Sequence, residues 1–204
     1  MLVDRPVREV LAAFSSSEPA PGGGSASALA SAIGASLLLM VAALPRTRSG
    51  SEDDRSALAS ATEALIGIRQ QLTDAVDADA AAYDQVVAAY RLPKAPGELD
   101  GRRAAIQLAL RAATDVPLGV VRLSAAALEQ ATTIAAHGHR AAGSDVGVGV
   151  ALLRAGARGA RLNIEINLGS ISDTAHADAV RAETGGWSDA AARAADEADA
   201  LLRT

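Results

Sequence analysis

Apolar residues recur at steps of three and four along most of this chain, the spacing that places them on one face of an α-helix. Residues 51–91 show this spacing at the greatest length, with apolar positions at Leu65, Ile68, Leu72, Val76, Tyr83, Val86 and Tyr90. Residues 4–15 show it over a shorter length, with apolar positions at Val7, Val10, Leu11 and Phe14. The pattern therefore predicts a chain built from helices.

The apolar stripe of residues 51–91 has one interruption. Between Val76 and Tyr83, the position that continues the helical spacing is Asp79, so a carboxylate stands on the face that should be buried. A buried carboxylate costs free energy unless it is paired, and burial raises its pKa toward the range that proton transfer needs. Two interpretations stay open: a core Asp satisfied by a Ser, an Arg or a backbone N–H, or a functional acid–base group.

The stretch Pro19–Leu44 predicts a second long helix with a glycine turn at its start. Three glycines, Gly22–Gly24, are followed by a run without any charged residue. Ser25 is predicted to cap this helix, and the free N–H groups of its first turn would favour an anion. Its small residues would let other helices approach closely, which predicts a central, buried helix that ends near Pro45. The run is long enough to span a membrane, but its Ala, Ser and Gly content favours a helix of a soluble protein.

Prolines and glycines predict where other helices end. Pro117 is predicted to kink or break a helix over residues 102–138. A helix that begins near Asp173 is predicted to end at Gly185–Gly186, and Ser188–Asp189 is predicted to start the last helix.

The stretch 145–170 is ambiguous. Its apolar positions Leu162, Ile164, Ile166 and Leu168 alternate with the polar positions Asn163, Glu165 and Asn167. This alternation predicts a strand. In a helix, by contrast, Asn163, Asn167 and Ser170 would share one face. Their polar groups could then bind a heterocycle or satisfy one another, and spacing alone favours the second interpretation.

Composition narrows the class of protein. A chain of 204 residues suits one domain, spanning 1–204, and an aromatic content of 2% with abundant alanine favours packed helices over sheets. A net charge of −5 without a basic block argues against nucleic-acid binding. With no cysteine and three histidines, a metal site has little support. We expect a cytoplasmic protein without a membrane span.

The chain contains four segments, in this order: PAPGGGSASALASAIGA, VDADAAAYDQVVAAYRLPK, VPLGVVRLSAAALEQA and SDVGVGVALLRAGARGARLNIEINLGSISD. In order and spacing they resemble the cyclodeaminase domain of formiminotransferase-cyclodeaminase and its stand-alone bacterial relatives. The resemblance implies an all-α fold, a compact bundle of roughly six to eight helices around the central Ala/Gly/Ser-rich helix. It implies a homodimer, as does the small, uncharged surface expected at Ala26–Ala35. It also favours a helix over a strand for residues 145–170.

The resemblance implies chemistry on a one-carbon unit carried by tetrahydrofolate. The family's cyclodeaminase reaction closes 5-formimidoyltetrahydrofolate to 5,10-methenyltetrahydrofolate and releases ammonia, and this is the predicted function. Some stand-alone relatives instead hydrolyse methenyltetrahydrofolate to 10-formyltetrahydrofolate, which is the alternative. In both cases a tetrahydrofolate derivative is the substrate, and no metal or redox cofactor is expected.

The resemblance also implies roles for particular residues. Asp79, the second acid of the Asp-Ala-Asp triplet, would be the catalytic acid–base group. The predicted substrate-binding residues are Gly22, Gly23, Gly24, Ser25, Asp77, Lys94, Asn163 and Asn167. The glycine loop would shape the pocket, the asparagines would bind the pterin, and Lys94 or the loop arginines Arg46 and Arg48 would meet the glutamate tail. The loop LPRTRSG departs from the family's pattern, which keeps open a further hypothesis: a folate-binding or assembly protein without turnover.

Overall fold

The computed structural model describes residues 1–203 and confirms the predicted all-α fold. Its six α-helices in this range are α1 (Val7–Phe14), α2 (Gly23–Ala42), α3 (Glu52–Arg91), α4 (Leu99–His137), α5 (Gly143–Leu168) and α6 (Thr174–Leu202). Short 3-10 turns at Pro96–Glu98 and Arg140–Ala142 precede α4 and α5. These residues form no strand, and their one isolated β-bridge joins Thr47 to Gly138.

The central helix is α2, which packs against α3, α4 and α5. Its contact with α5 depends on the absence of side chains. A Cβ atom on Gly34 would lie 2.8 Å from the carbonyl oxygen of Gly149, and one on Gly156 would lie 2.6 Å from the carbonyl oxygen of Ser27. Real Cβ atoms do not approach so closely, so the small residues set the distance between the two helix axes.

The stretch whose alternation predicts a strand lies in the last two turns of α5, so that prediction is wrong and the helix implied by the family resemblance is confirmed. Ile164 and Leu168, four residues apart, are buried, whereas Leu162 and Ile166 are 60% and 74% exposed. The helix therefore carries two apolar stripes on different sides. Along the sequence, the two stripes together place an apolar residue at every second position, which is the pattern of a strand.

Helix α4 runs through Pro117, so of the predicted kink or break the break does not occur. The predicted helix end at Gly185–Gly186 and the predicted start at Ser188–Asp189 are both wrong, because α6 runs through them to Leu202. A glycine inside a helix costs only about 1 kcal/mol relative to alanine. The buried face of α6 on both sides of the pair, including Val180 and Ala195, holds the helix in one piece because tertiary packing supplies most helical stability.

Two helical stretches, α2 and Pro96–His137, are long and apolar enough to cross a membrane, but half of each apolar window is buried inside the bundle. Both stretches contribute residues to the main hydrophobic core, including Leu38 of α2 and Leu128 of α4. They are therefore core helices of this fold.

The loop between α2 and α3 is fixed by one carboxylate. Asp54 is 5% exposed. It accepts hydrogen bonds from the ring of His137, the N–H and hydroxyl of Ser49 and the hydroxyl of Thr47. These bonds, that of His137 first, hold the pKa of the Asp54 carboxyl well below its usual range. The LPRTRSG loop is thereby tied to α3 and to the end of α4.

Candidate active site

Asp79 lies on α3 where the apolar stripe passes from the core into a cavity. Val76, one turn earlier, is 1% exposed, whereas Tyr83, one turn later, is 39% exposed and lines the cavity together with Asp79. The Asp79 carboxylate thus lies at the boundary between the hydrophobic core and the cavity. Its position on the stripe is explained by a cavity that begins where the core ends.

The carboxylate of Asp79 is held by the first turn of α2. The Ser25 N–H donates to Oδ2 of Asp79 over 2.8 Å, and the Ser25 hydroxyl donates to the same oxygen over 3.0 Å. Oδ1 accepts no hydrogen bond from the described residues, and the Asp79 side chain lines the cavity. The prediction that Ser25 caps α2 is wrong, because Gly22 is the N-cap and the helix begins at Gly23. The anion expected at this helix start is the protein's own Asp79.

Gly24 is required by the close approach of that carboxylate. A Cβ atom on Gly24 would overlap both oxygens of Asp79 and lie 2.5 Å from its Cγ. At Gly23 the added atom would instead make an ordinary contact, 3.4 Å from the amide nitrogen of Asn163. Gly22, Gly23 and Gly24 all line the cavity, so the glycine loop forms one wall of it.

The cavity has a volume of about 250 Å³ and lies between the glycine loop, α3, α4 and α5. It is lined by Pro19, Ala20, Gly22, Gly23, Gly24, Asp79, Tyr83, Val86, Leu110, Ala113, Asn163, Ile166 and Asn167. Apolar walls with a few convergent polar groups are typical of small-molecule sites. Sequence reasoning missed Leu110, Ala113 and Ile166 as lining residues, while Tyr83 and Val86 stood on the stripe that held Asp79.

Asn163 and Asn167 both reach the cavity, on the shared helix face that the helical interpretation of α5 predicts. The Asn163 side-chain amide donates to the Gly159 carbonyl over 2.9 Å, and that of Asn167 donates to the Ala113 carbonyl over 3.0 Å. Each NH₂ group has one N–H engaged on a backbone oxygen, so each asparagine keeps its side-chain oxygen and a second N–H for a ligand. Each side-chain oxygen is a hydrogen-bond acceptor.

Burial raises the pKa of the Asp79 carboxyl above its ordinary value, and the hydrogen bonds from the Ser25 side chain and backbone oppose the rise. Desolvation is the larger effect. A carboxyl group that has a raised pKa and lines a cavity is suited both to take up and to return a proton.

Two of the predicted binding residues lie away from this cavity. The Asp77 carboxylate accepts the backbone N–H groups of Leu2 and Val3 and anchors the N-terminal segment to α3. Lys94 lies on the exposed segment after α3 and is absent from the lining. Within residues 1–203 no group of three His, Asp or Glu side chains is placed to share a metal ion.

A larger groove of about 490 Å³ lies at the other end of α2, but it lacks a convergent polar centre. Its walls include Leu58 and Ile66, and its Arg55 is paired with Glu52. The smaller cavity brings together six of the nine predicted catalytic and binding residues, and Ser25 bonds to Asp79 behind its wall. The candidate active site is therefore the cavity around Asp79.

The fold and this site define a helical-bundle protein whose glycine-rich helix start meets a carboxylate of a neighbouring helix. The family model described as "Formiminotransferase-cyclodeaminase" matches residues 6–185. This chain belongs to the formiminotransferase-cyclodeaminase family and corresponds to the cyclodeaminase domain of that family.

Relatives in the family carry two kinds of name. A methenyltetrahydrofolate cyclohydrolase of Methylorubrum extorquens is 38% identical over 84% of this chain and 83% of its own length. Formimidoyltransferase-cyclodeaminases of Sus scrofa and Gallus gallus are 34% and 33% identical over 88% and 84% of this chain. The match spans only about a third of those two longer proteins, 34% and 32% of their lengths.

A solved structure shares the fold over the whole chain. The crystal structure of a formiminotetrahydrofolate cyclodeaminase from Thermotoga maritima superimposes with a TM-score of 0.89, covering 100% of this chain and 98% of that one. The two sequences are 24% identical, so the likeness establishes the arrangement of helices.

Proposed function

We propose that this protein is a folate enzyme that hydrolyses 5,10-methenyltetrahydrofolate to 10-formyltetrahydrofolate. The observation that carries the proposal is the position of Asp79: one oxygen is held by Ser25, the other accepts no hydrogen bond from the described residues, and the side chain lines a cavity of about 250 Å³. The choice of this reaction rests on the similarity in sequence and length to the cyclohydrolase of Methylorubrum extorquens. It replaces the cyclodeaminase reaction as the first expectation.

In the proposed reaction Asp79 is a general base and then a general acid. It takes a proton from a water molecule whose oxygen attacks the methenyl carbon, and a neutral carbinolamine forms between N5 and N10. The bond from carbon to N5 then breaks, and Asp79 returns the proton to N5. The hydroxyl proton is lost to solvent as the formyl C=O forms on N10, so the overall reaction consumes water and releases one proton.

The asparagines would bind the pterin ring through their oxygens. The side-chain oxygens of Asn163 and Asn167 are acceptors, and a reduced pterin offers ring and amino N–H donors.

The proposed hydrolysis transfers protons but no electrons, so it uses no redox cofactor, and no residue is assigned to a metal. We assign the protein to the cytoplasm, a reducing compartment that suits a chain without cysteine.

The cyclodeaminase reaction is the second candidate, supported by the names of the relatives from Sus scrofa and Gallus gallus. There N10 attacks the carbon of the protonated formimidoyl group on N5, and the C=N bond becomes a single bond to an amino group. Asp79 takes the proton from N10 and gives it to that amino group, which leaves as ammonia when the methenyl cation forms. The intermediate has an amino group where the hydrolytic one has a hydroxyl. The same side chains would therefore serve either reaction.

An absorbance assay with both folates tests the proposal. We expect the protein to speed the disappearance of supplied methenyltetrahydrofolate more than it speeds the appearance of methenyltetrahydrofolate from the formimidoyl compound. The reverse ratio would make the protein a cyclodeaminase. Folate binding without either reaction would favour the hypothesis of a binding or assembly protein.

We also propose a homodimer with two-fold symmetry. Most of the small residues of Ala26–Ala35 are used in contacts within the chain, so they do not form the predicted interface. The neighbouring apolar side chains Ile33, Met40 and Ile66 are 46%, 44% and 51% exposed and would be covered by a second copy. Light scattering at micromolar concentration should give twice the 20.5 kDa chain mass, and a monomer mass would refute the dimer.

A further inference from the structure

Pro117 lies inside α4, where it removes one hydrogen bond from the helix. An interior proline has no N–H to donate to the carbonyl oxygen four residues earlier. In α4 that carbonyl belongs to Ala113, which lines the candidate active site. The vacant acceptor position is used from outside the helix, because the side-chain amide of Asn167 donates to the Ala113 oxygen over 3.0 Å.

The bond to Ala113 determines which end of the Asn167 amide a ligand meets. With its NH₂ group on the Ala113 carbonyl, the side chain has its oxygen left for the cavity. The NH₂ group of Asn163, by comparison, donates to Gly159 of its own helix and owes nothing to Pro117. The two asparagines are therefore oriented by separate means.

We propose that Pro117 is a positioning residue of the active site: because it lacks the N–H that would bond the Ala113 carbonyl, that oxygen holds the Asn167 amide, and the Asn167 side-chain oxygen is turned toward the ligand. The proposal rests on the proposed function for its effect on folate binding, and on the geometry alone for its effect on Asn167. It gives a role to a helix-interior proline, a residue that destabilises a helix relative to alanine.

Pro117→Ala restores a backbone N–H that can bond the Ala113 oxygen, and sharing that oxygen weakens its bond to Asn167. Removing the proline should raise the melting temperature, while the loosened asparagine should raise KM for the folate about 2- to 10-fold, the range of one net hydrogen bond. The value of kcat should stay within about two-fold, because Asp79 is untouched. Pro96→Ala makes the same chemical change in the exposed turn before α4 and should leave KM unaltered.

Two further measurements separate positioning from a general structural effect. In an Asn167→Ala background, Pro117→Ala should no longer change KM, because its target is gone. In the ¹H–¹⁵N spectrum of the free protein, Pro117→Ala should shift the Asn167 side-chain amide signals and spare those of Asn163. If Pro117→Ala is poorly folded, Pro117→Ser restores the same N–H and takes its place.

An unchanged Asn167 amide signal in Pro117→Ala would overturn the proposal. So would an unchanged KM in Pro117→Ala if Asn167→Ala raises KM. The same KM increase with and without Asn167 would also overturn it. If the wild-type protein turns over neither folate, the proposed function fails. The amide spectrum then still decides whether Pro117 fixes Asn167.

Discussion

Asp79→Asn is expected to lower kcat about 10²–10⁴-fold while leaving the fold intact, the usual loss when a general acid–base group is removed. Asparagine is nearly isosteric with aspartate, and its oxygen can still accept the N–H and hydroxyl of Ser25. It cannot carry a proton. Steady-state rates with methenyltetrahydrofolate, together with a circular dichroism spectrum, measure both parts of the expectation.

Asp77→Asn is the matched control, since it makes the same chemical change two residues away on α3. Asp77 binds the backbone N–H groups of Leu2 and Val3 and does not line the cavity. It should cost much less activity. If Asp77→Asn were as damaging as Asp79→Asn, the roles within the triplet would have to be reassigned; full activity of Asp79→Asn would place the proton carrier elsewhere.

Asp79→Asn should also be more stable than the wild type at neutral pH. Because burial raises the folded-state pKa of Asp79, its ionisation destabilises the fold, and stability is lost as the pH rises from the unfolded-state pKa through the folded-state value. Asp79→Asn avoids that loss. Its advantage in melting temperature should be complete above the folded-state pKa and vanish at acid pH, where Asp79 is protonated in both states.

Gly24→Ala is expected to lower activity about 10²-fold and to destabilise the protein by about 1–3 kcal/mol, the range for overpacking and for a displaced catalytic group. The new methyl group would occupy the space of the Asp79 carboxylate, which would have to leave Ser25. Kinetics and denaturant unfolding of the same preparation give both quantities.

Gly67→Ala is the control for that substitution. Gly67 lies within α3, and a Cβ atom added there meets no atom within 4 Å. Alanine in place of glycine in a helix stabilises by roughly 0.5–1 kcal/mol, so the same chemical change should have the opposite sign. Equal stability effects at the two positions would contradict the close approach of Asp79 to α2.

The sequence was most informative where periodicity and chemistry disagreed. A helical spacing of three and four is strong over residues 51–91, so the one carboxylate on the apolar stripe could be located before the structure was known. Asp79 does lie at the edge of the core, beside the cavity. Spacing alone could not decide between a satisfied core Asp and a functional one, because the Ser25 hydrogen bonds satisfy one oxygen and leave the other open.

What could not be predicted depends on contacts between distant parts of the chain. The alternation at Leu162–Leu168 arises from two helical stripes with different neighbours, which a single-strand pattern cannot reveal. The continuity of α4 through Pro117 involves Asn167, 50 positions further along the sequence. The carboxylate of Asp54, in the first turn of α3, bonds to His137 at the end of α4. None of these partners follows from local spacing.

The central claim is that folate chemistry occurs at Asp79. Its most direct test compares equal amounts of wild-type protein, Asp79→Asn and Asp77→Asn by the rate at which the absorbance of methenyltetrahydrofolate disappears. The account predicts rapid loss with the wild type and with Asp77→Asn, and loss near the buffer rate with Asp79→Asn. Loss as fast with Asp79→Asn as with the wild type would contradict it.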